Sequence, residues 1–116
     1  MPPTLVFGAG GIGKGKISHT WVDASQTSSL LDTLSSLGLT ELDSAAAYPP
    51  GAPWVTEGLL GETKAAERGF VIDTKIIPRA ANGQRDGSLK EEAIDECFEK
   101  SLKLLGVEQV SGDWVE

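Results

Sequence analysis

The chain has 116 residues, 40% of them hydrophobic, and a net charge of -7, which is the length of one ordinary domain with enough apolar side chains for a compact core. No block of Lys and Arg accompanies that charge, which argues against a nucleic-acid surface or a polybasic membrane patch, since both need clustered cations. The single cysteine, Cys97, cannot form an internal disulfide, no apolar run approaches the roughly 18 to 20 residues that span a bilayer, and the N-terminus lacks the pattern of a secretory signal, so a reducing, cytoplasmic setting is expected.

Thr4 to Gly8 reads as a first strand, apolar and closed by glycine. It runs into "LVFGAGGIGKGK", residues 5 to 16, where Gly8, Gly10 and Gly13 have the spacing of a dinucleotide fingerprint and Gly8 to Gly13-Lys14 nearly that of a phosphate-binding P-loop. The fingerprint requires a helix that begins inside the motif, so that a pyrophosphate meets its N-terminus. Here "KISHTWV" intervenes, and the first convincing helix begins only near Ser25 or Gln26. The acidic residue ending the next strand, Asp43, lies about thirty residues past Gly13 instead of about twenty. Gly15 stands where a P-loop needs a hydroxyl for magnesium. The glycines are therefore expected to form an exit loop above a parallel strand, leaving room for a ligand, with the lone His19 as a loop residue.

In "SQTSSLLDTLSSLG" the residues Leu30, Leu31, Leu34 and Leu37 recur at helical spacing, and Gly38 is placed to end that helix in a left-handed conformation. Thr40 to Asp43 reads as a second strand. "VTEGLLGETKAAERG" is expected as a helix capped by Thr56 and ended by Gly69, weakened by Gly58 and Gly61, which each cost about 1 kcal/mol relative to alanine. Phe70 to Lys75 is the third strand, and "PRAANGQRDG", residues 78 to 87, a loop. "SLKEEAIDECFEKSLKLLG" is the clearest helix: Ser88 and Glu91 form a capping box, and Ile94, Cys97, Phe98, Leu102 and Leu105 line one face. On that face Cys97 is a small core residue, because apolar surroundings raise a thiol's pKa. Val107 to Val110 reads as the opening of a fourth strand, stopped by Ser111 and Gly112.

Strands alternating with helices at intervals of about 30 to 36 residues are the repeat of parallel β/α units. In a barrel of such units the side chains of Asp43, Tyr48 and Lys75 project toward the C-terminal face, where active sites of this architecture sit. A tyrosine is a weak acid, and a nearby ammonium stabilises its phenolate and lowers its pKa. Asp43 would hold Lys75 charged, leaving Tyr48 to donate a proton to a substrate oxygen. Spacing alone favours a plainer arrangement, with Asp43 capping a loop, Tyr48 packed and Lys75 solvated.

"LTELDSAAAYPPG", followed by "TEGLLGE" and "FVIDTKIIP", resembles the N-terminal part of the aldo-keto reductases, most closely the aflatoxin-aldehyde reductase branch, and "SLKEEAIDECFEKSLKLLGVEQV" fits that family's third helix. The resemblance spans roughly residues 4 to 110. It implies a (β/α)8 TIM barrel that reduces aldehydes and ketones with NADPH and without a metal. By motif, Tyr48 would be the general acid, Lys75 the group that lowers its pKa, and Asp43 the partner of Lys75 that also approaches the nicotinamide ribose. The family's fourth strand resembles "DLYYLH", whose histidine helps orient the substrate carbonyl, whereas this sequence has "SGDWVE" there. The family's loops for the adenosine 2'-phosphate come later than the residues present.

The expected architecture is thus α/β: the first three β/α units of a (β/α)8 barrel, incomplete, with residues 1–110 as a partial oxidoreductase domain and 111–116 as a divergent tail. An unclosed sheet should expose its edges and leave Leu5, Phe7, Val71 and Ile72 without a facing layer. The chain alone is expected to be a poor cofactor binder, inactive, and prone to self-association. The alternative is a non-catalytic interaction module that pairs with another chain through its sheet edge.

Overall fold

The computed structural model describes residues 5–16, 20–76, 91–108 and 112–115. A parallel sheet of four strands, in the order β1-β2-β3-β4, is formed by Phe7–Gly8 (β1), Glu41–Asp43 (β2), Val71–Ile76 (β3) and Gly112–Val115 (β4). Helices Ala24–Ser36 (α1), Val55–Glu62 (α2) and Glu91–Leu105 (α3) make the crossovers that parallel pairing requires. The register aligns Gly8 with Asp43, Asp43 with Asp73, and Lys75 with Trp114.

All three helices cover one face of the sheet. Leu30, Leu31 and Leu34 of α1, Leu60 of α2 and Leu105 of α3 are buried in one cluster with Leu42 of β2 and Ile72 of β3. Each such side chain contributes roughly 1.5–3 kcal/mol when removed from water. A second cluster joins Ile76 to Cys97 of α3, with Ile94, Phe98 and Trp54 packed against it. Cys97 is thus a core residue, as its place on the apolar stripe implied.

Strand alternation decides what the other face carries. On β3 the side chains of Ile72, Thr74 and Ile76 are buried under the helices, while Val71, Asp73 and Lys75 face away. This corrects the expectation that Leu5, Phe7, Val71 and Ile72 would all lack a facing layer. Val71 and Ile72 are neighbours on β3 and point to opposite faces, so Ile72 packs into the core while Val71 stays 45% exposed. Phe7 of β1, aligned with Leu42, packs against the same core, whereas Leu5 precedes the strand and is 65% exposed.

The glycine-rich loop follows neither nucleotide motif. Ala9–Gly11 is a short 3-10 turn, and the next helix begins at Ala24. Gly15 is required by packing, since a Cβ there would stand 2.5 Å from the Pro50 carbonyl oxygen. The loop lies against the 49–51 segment, with the Lys16 N–H donating to that same carbonyl at 2.9 Å.

Helix α1 begins earlier than its leucines indicate, because Asp23 caps it: the Asp23 carboxylate accepts from the Gln26 N–H at 2.8 Å, and the Gln26 side chain accepts from the Val22 N–H at 2.9 Å. It ends as expected at Gly38 (φ 78), with the Leu39 N–H returning to the Leu34 carbonyl. Helix α2 differs from its expected form. Thr56 lies inside it and does not cap it, and the helix stops at Glu62, not Gly69. Lys64 takes the left-handed position (φ 58), the Ala65 N–H bonds back to the Leu60 carbonyl, and the Thr63 hydroxyl turns back to the Leu59 carbonyl at 2.8 Å. Residues 63–69 then form turns leading into β3. Helix α3 ends at Gly106 (φ 71), and the fourth strand lies at Gly112–Val115, with Val107 and Glu108 outside it. His19, Ser88 and the loop at 78–87 lie outside the described residues.

Candidate active site

Asp43 ends β2 and Lys75 is the penultimate residue of β3, so both stand at the C-terminal rim of the sheet, on the face away from the helices. Past Asp43 the chain stays tied to β3: the Ser44 N–H donates to the Asp73 carbonyl at 2.8 Å and the Ala46 N–H to the Lys75 carbonyl at 2.9 Å. A turn closed by the Tyr48 N–H on the Ala45 carbonyl, at 3.1 Å, then returns Tyr48 over the strand ends. The Thr56 N–H at the start of α2 donates to the Tyr48 carbonyl at 3.2 Å. Against the phenol ring lies Gly10, where a Cβ would meet ring carbons at 3.8–3.9 Å.

The three side chains converge on the lysine. Lys75 Nζ donates to Asp43 Oδ1 at 2.9 Å, to the Ser44 carbonyl at 3.0 Å and to the Tyr48 hydroxyl oxygen at 3.3 Å. Lys75 is largely buried, with 17% of its side chain exposed against 43% for Asp43. Burial by itself favours the neutral amine, but the hydrogen bond to Asp43 and then that to Tyr48 outweigh it, so the Lys75 pKa is raised above the ordinary lysine value. The group facing Tyr48 is therefore an ammonium at neutral pH. An ammonium hydrogen-bonded to a phenol oxygen favours the negative charge which that oxygen carries once its proton has left.

All three residues singled out in the sequence come together, and the plainer arrangement of a solvated Lys75 does not hold. The sequence reading missed the Ser44 carbonyl as the third partner of Lys75, and no side-chain pattern signals a backbone acceptor. It also missed Gly10 as the surface under the Tyr48 ring; glycine-richness alone pointed to the loop. Among the described residues no group of three His, Cys, Asp or Glu is placed to hold a metal ion, and no helix is long and apolar enough to cross a membrane.

A model of the Aldo/keto reductase family matches residues 4–111. A search of curated proteins finds no significant match. Two solved structures from Pseudomonas aeruginosa, each described as a candidate aldo-keto reductase, superpose on the chain with TM-scores of 0.74 and 0.73 at 25% and 26% sequence identity. Each comparison covers 97% of this chain, and 41% and 40% of the relatives. An aldo-keto reductase from Bacillus halodurans in its holo form gives a TM-score of 0.70 at 24% identity over 97% of this chain and 35% of its own, a likeness of fold. The chain thus spans about two fifths of the length of the Pseudomonas relatives. It belongs to the aldo/keto reductase family, and its four strands and three helices are the N-terminal part of that family's (β/α)8 barrel.

Proposed function

We propose that these residues form the proton-donating part of an NADPH-dependent reductase of aldehydes and ketones, of the aflatoxin-aldehyde reductase type. The observation that carries the reading is Lys75 Nζ held between Asp43 Oδ1 at 2.9 Å and the Tyr48 hydroxyl at 3.3 Å. Tyr48 gives its phenol proton to the carbonyl oxygen, and Lys75 stabilises the phenolate left behind. When bound, the nicotinamide cofactor supplies the hydride that adds to the carbonyl carbon, so that hydride and proton together yield an alcohol.

The surface beside the three residues suits such a cofactor. Gly8 pairs with Asp43, a Cβ at Gly8 would meet nothing within 4 Å, and the Asp43 carboxylate is half-exposed. Asp43 would hold the nicotinamide ribose while remaining bonded to Lys75. We further propose that a polypeptide of these 116 residues does not turn over alone, since four strands do not close a barrel that typically takes about 250 residues.

The test is a chimera in which residues 4–111 replace the matching segment of a Pseudomonas aeruginosa relative, assayed with NADPH and an aromatic aldehyde by the cofactor's absorbance. Turnover that falls at least about 100-fold in Tyr48→Phe is expected, the scale of a lost general acid. A folded chimera whose turnover ignores Tyr48→Phe refutes the reading, and turnover by the 116-residue chain alone refutes its inactivity.

A second reading is an interaction module that self-associates or pairs with another chain through the sheet. It draws on the exposure of Leu5, Val6 and Val71, at 65%, 45% and 45%. Co-expression with a full-length relative followed by size-exclusion chromatography would show a shared peak, and separate peaks dismiss the pairing.

A further inference from the structure

Two consecutive residues of α2 reach the loop that bears Tyr48, the glycine-rich loop beside it and the strand that bears Lys75. The Thr56 N–H donates to the Tyr48 carbonyl at 3.2 Å, and the Thr56 hydroxyl donates to the Ile12 carbonyl, in the glycine-rich loop, at 2.6 Å. Next to it, Glu57 Oε2 accepts from the Thr74 hydroxyl of β3 at 2.7 Å, and Oε1 accepts from the Ser101 hydroxyl of α3 at 2.9 Å. Thr56, Glu57, Thr74 and Ser101 are all 0% exposed.

A carboxyl is a costly way to fill buried space, and each hydrogen bond returns only about 1 kcal/mol net. What such a network adds over an apolar side chain is direction. Thr74 immediately precedes Lys75, and the two point to opposite faces of β3. A tie on Thr74 therefore fixes the backbone from which Lys75 extends, without occupying the face where Lys75 meets Tyr48.

Resting on the reductase reading, we propose that Thr56 and Glu57 form the positioning element of the site, tying the loop that bears Tyr48 to the strand that bears Lys75 and so setting the approach of the ammonium to the phenol oxygen. Neither is a catalytic residue: Thr56 acts through the Tyr48 backbone, and Glu57 acts through Thr74.

The test reads Lys75 directly and needs no turnover. The folded 116-residue chain is treated with an amine-acylating reagent at fixed pH, and the rate at Lys75 is followed by mass spectrometry. Thr74→Val, which removes the hydroxyl that Glu57 holds, should acylate Lys75 about fivefold faster than the parent, the factor that one net hydrogen bond represents. Thr74→Ser keeps the hydroxyl and should stay within about twofold of the parent. Leu34→Val, which loosens the other core cluster, should also stay within about twofold, where a merely structural effect would raise both variants alike. If circular dichroism shows that Thr74→Val does not fold, Thr74→Ala, which also removes the hydroxyl that Glu57 holds, is read in its place with the same rise of about fivefold expected. Parent-like labelling in the folded variant, or an equal rise in Leu34→Val, overturns the proposal. Failure of the reductase reading would instead appear in the chimera's turnover and leave these labelling rates unchanged.

Discussion

The ammonium of Lys75 stands 3.3 Å from the hydroxyl oxygen of Tyr48, a residue 27 positions earlier in the chain. Burial works against the charge on Lys75, and the bonds to Asp43 and Tyr48 reverse that effect, so its folded-state pKa lies above the ordinary value of 10.5. A group whose pKa is raised by folding stabilises the folded state in full below its unfolded pKa, and that contribution is lost as pH rises through the folded pKa. The urea midpoint of the parent should therefore fall as pH rises above about 10.5, and Lys75→Met should flatten that part of the profile. Parallel profiles for the two proteins would show that Lys75 is not held by its partners.

Gly58 and Gly61 occupy the same helix and should respond oppositely to alanine. A Cβ at Gly58 meets nothing within 4 Å, so Gly58→Ala should gain the helix-propensity difference of up to about 1 kcal/mol. At Gly61 a Cβ would collide with the backbone carbonyl of Leu104, where α2 and α3 cross closely. The same propensity gain is then outweighed by a steric cost of about 1–3 kcal/mol, as α3 must move away. Urea denaturation should show a raised midpoint for Gly58→Ala and a lowered one for Gly61→Ala.

This contrast also shows what the sequence can and cannot reveal. Both glycines read as equal weaknesses of α2, because propensity is local, whereas the crossing with Leu104 joins residues far apart in the chain. The leucine spacing of α1, Gly38 and the stripe through Cys97 were legible because each rests on local periodicity or a single dihedral. The start of α1 at Asp23 leaves no mark in the apolar spacing, because it is set by a D-x-x-Q cap of hydrogen bonds. The position of Thr56 suggests a cap, yet its hydroxyl goes to Ile12, a partner 44 residues away. Hydropathy points to Val107 to Val110 as the opening of the fourth strand, while pairing with β3 places it at Gly112–Val115. For the candidate site, spacing alone favours a solvated Lys75, and it is the family motif that brings Asp43, Tyr48 and Lys75 together as they stand in the structure. The Thr56 and Glu57 ties were not legible, since buried hydroxyl-carboxyl pairs across elements leave no periodic trace.

Arg68 pins the turns after α2 and fastens them to α1. Its Nε donates to the Thr63 carbonyl at 2.9 Å, and its terminal nitrogens donate to Asp32 Oδ1 at 3.0 Å and Ser28 Oγ at 2.6 Å. The ion pair itself is weak, because Asp32 is 75% exposed and water screens it. Arg68→Met should cost roughly 1–2 kcal/mol through the lost backbone and hydroxyl bonds, whereas Asp32→Asn should cost less than about 0.5 kcal/mol. Comparable losses in urea titrations of the two variants would mean that the ion pair, not the bonds to Thr63 and Ser28, carries the contribution of Arg68.

On the sheet face away from the helices, Glu41 of β2 and Asp73 of β3 are close enough to hydrogen-bond, and both are acids. The hydrogen bond to Asp73 comes first, followed by desolvation and the like charge, and together they raise the Glu41 pKa above 4.5. Here too folding raises the pKa, so the contribution is present below the unfolded value and disappears as pH climbs through the folded one. Neutral pH is therefore the less favourable side for Glu41, whose carboxyl faces that of Asp73 across adjacent strands. Glu41→Gln removes the charge of Glu41 while keeping a group that can hydrogen-bond to Asp73. It should raise the urea midpoint at pH 7, make little difference at pH 4, and reduce the change between them. A variant that loses stability at pH 7 would show that the carboxyl of Glu41 stabilises the sheet as an ion.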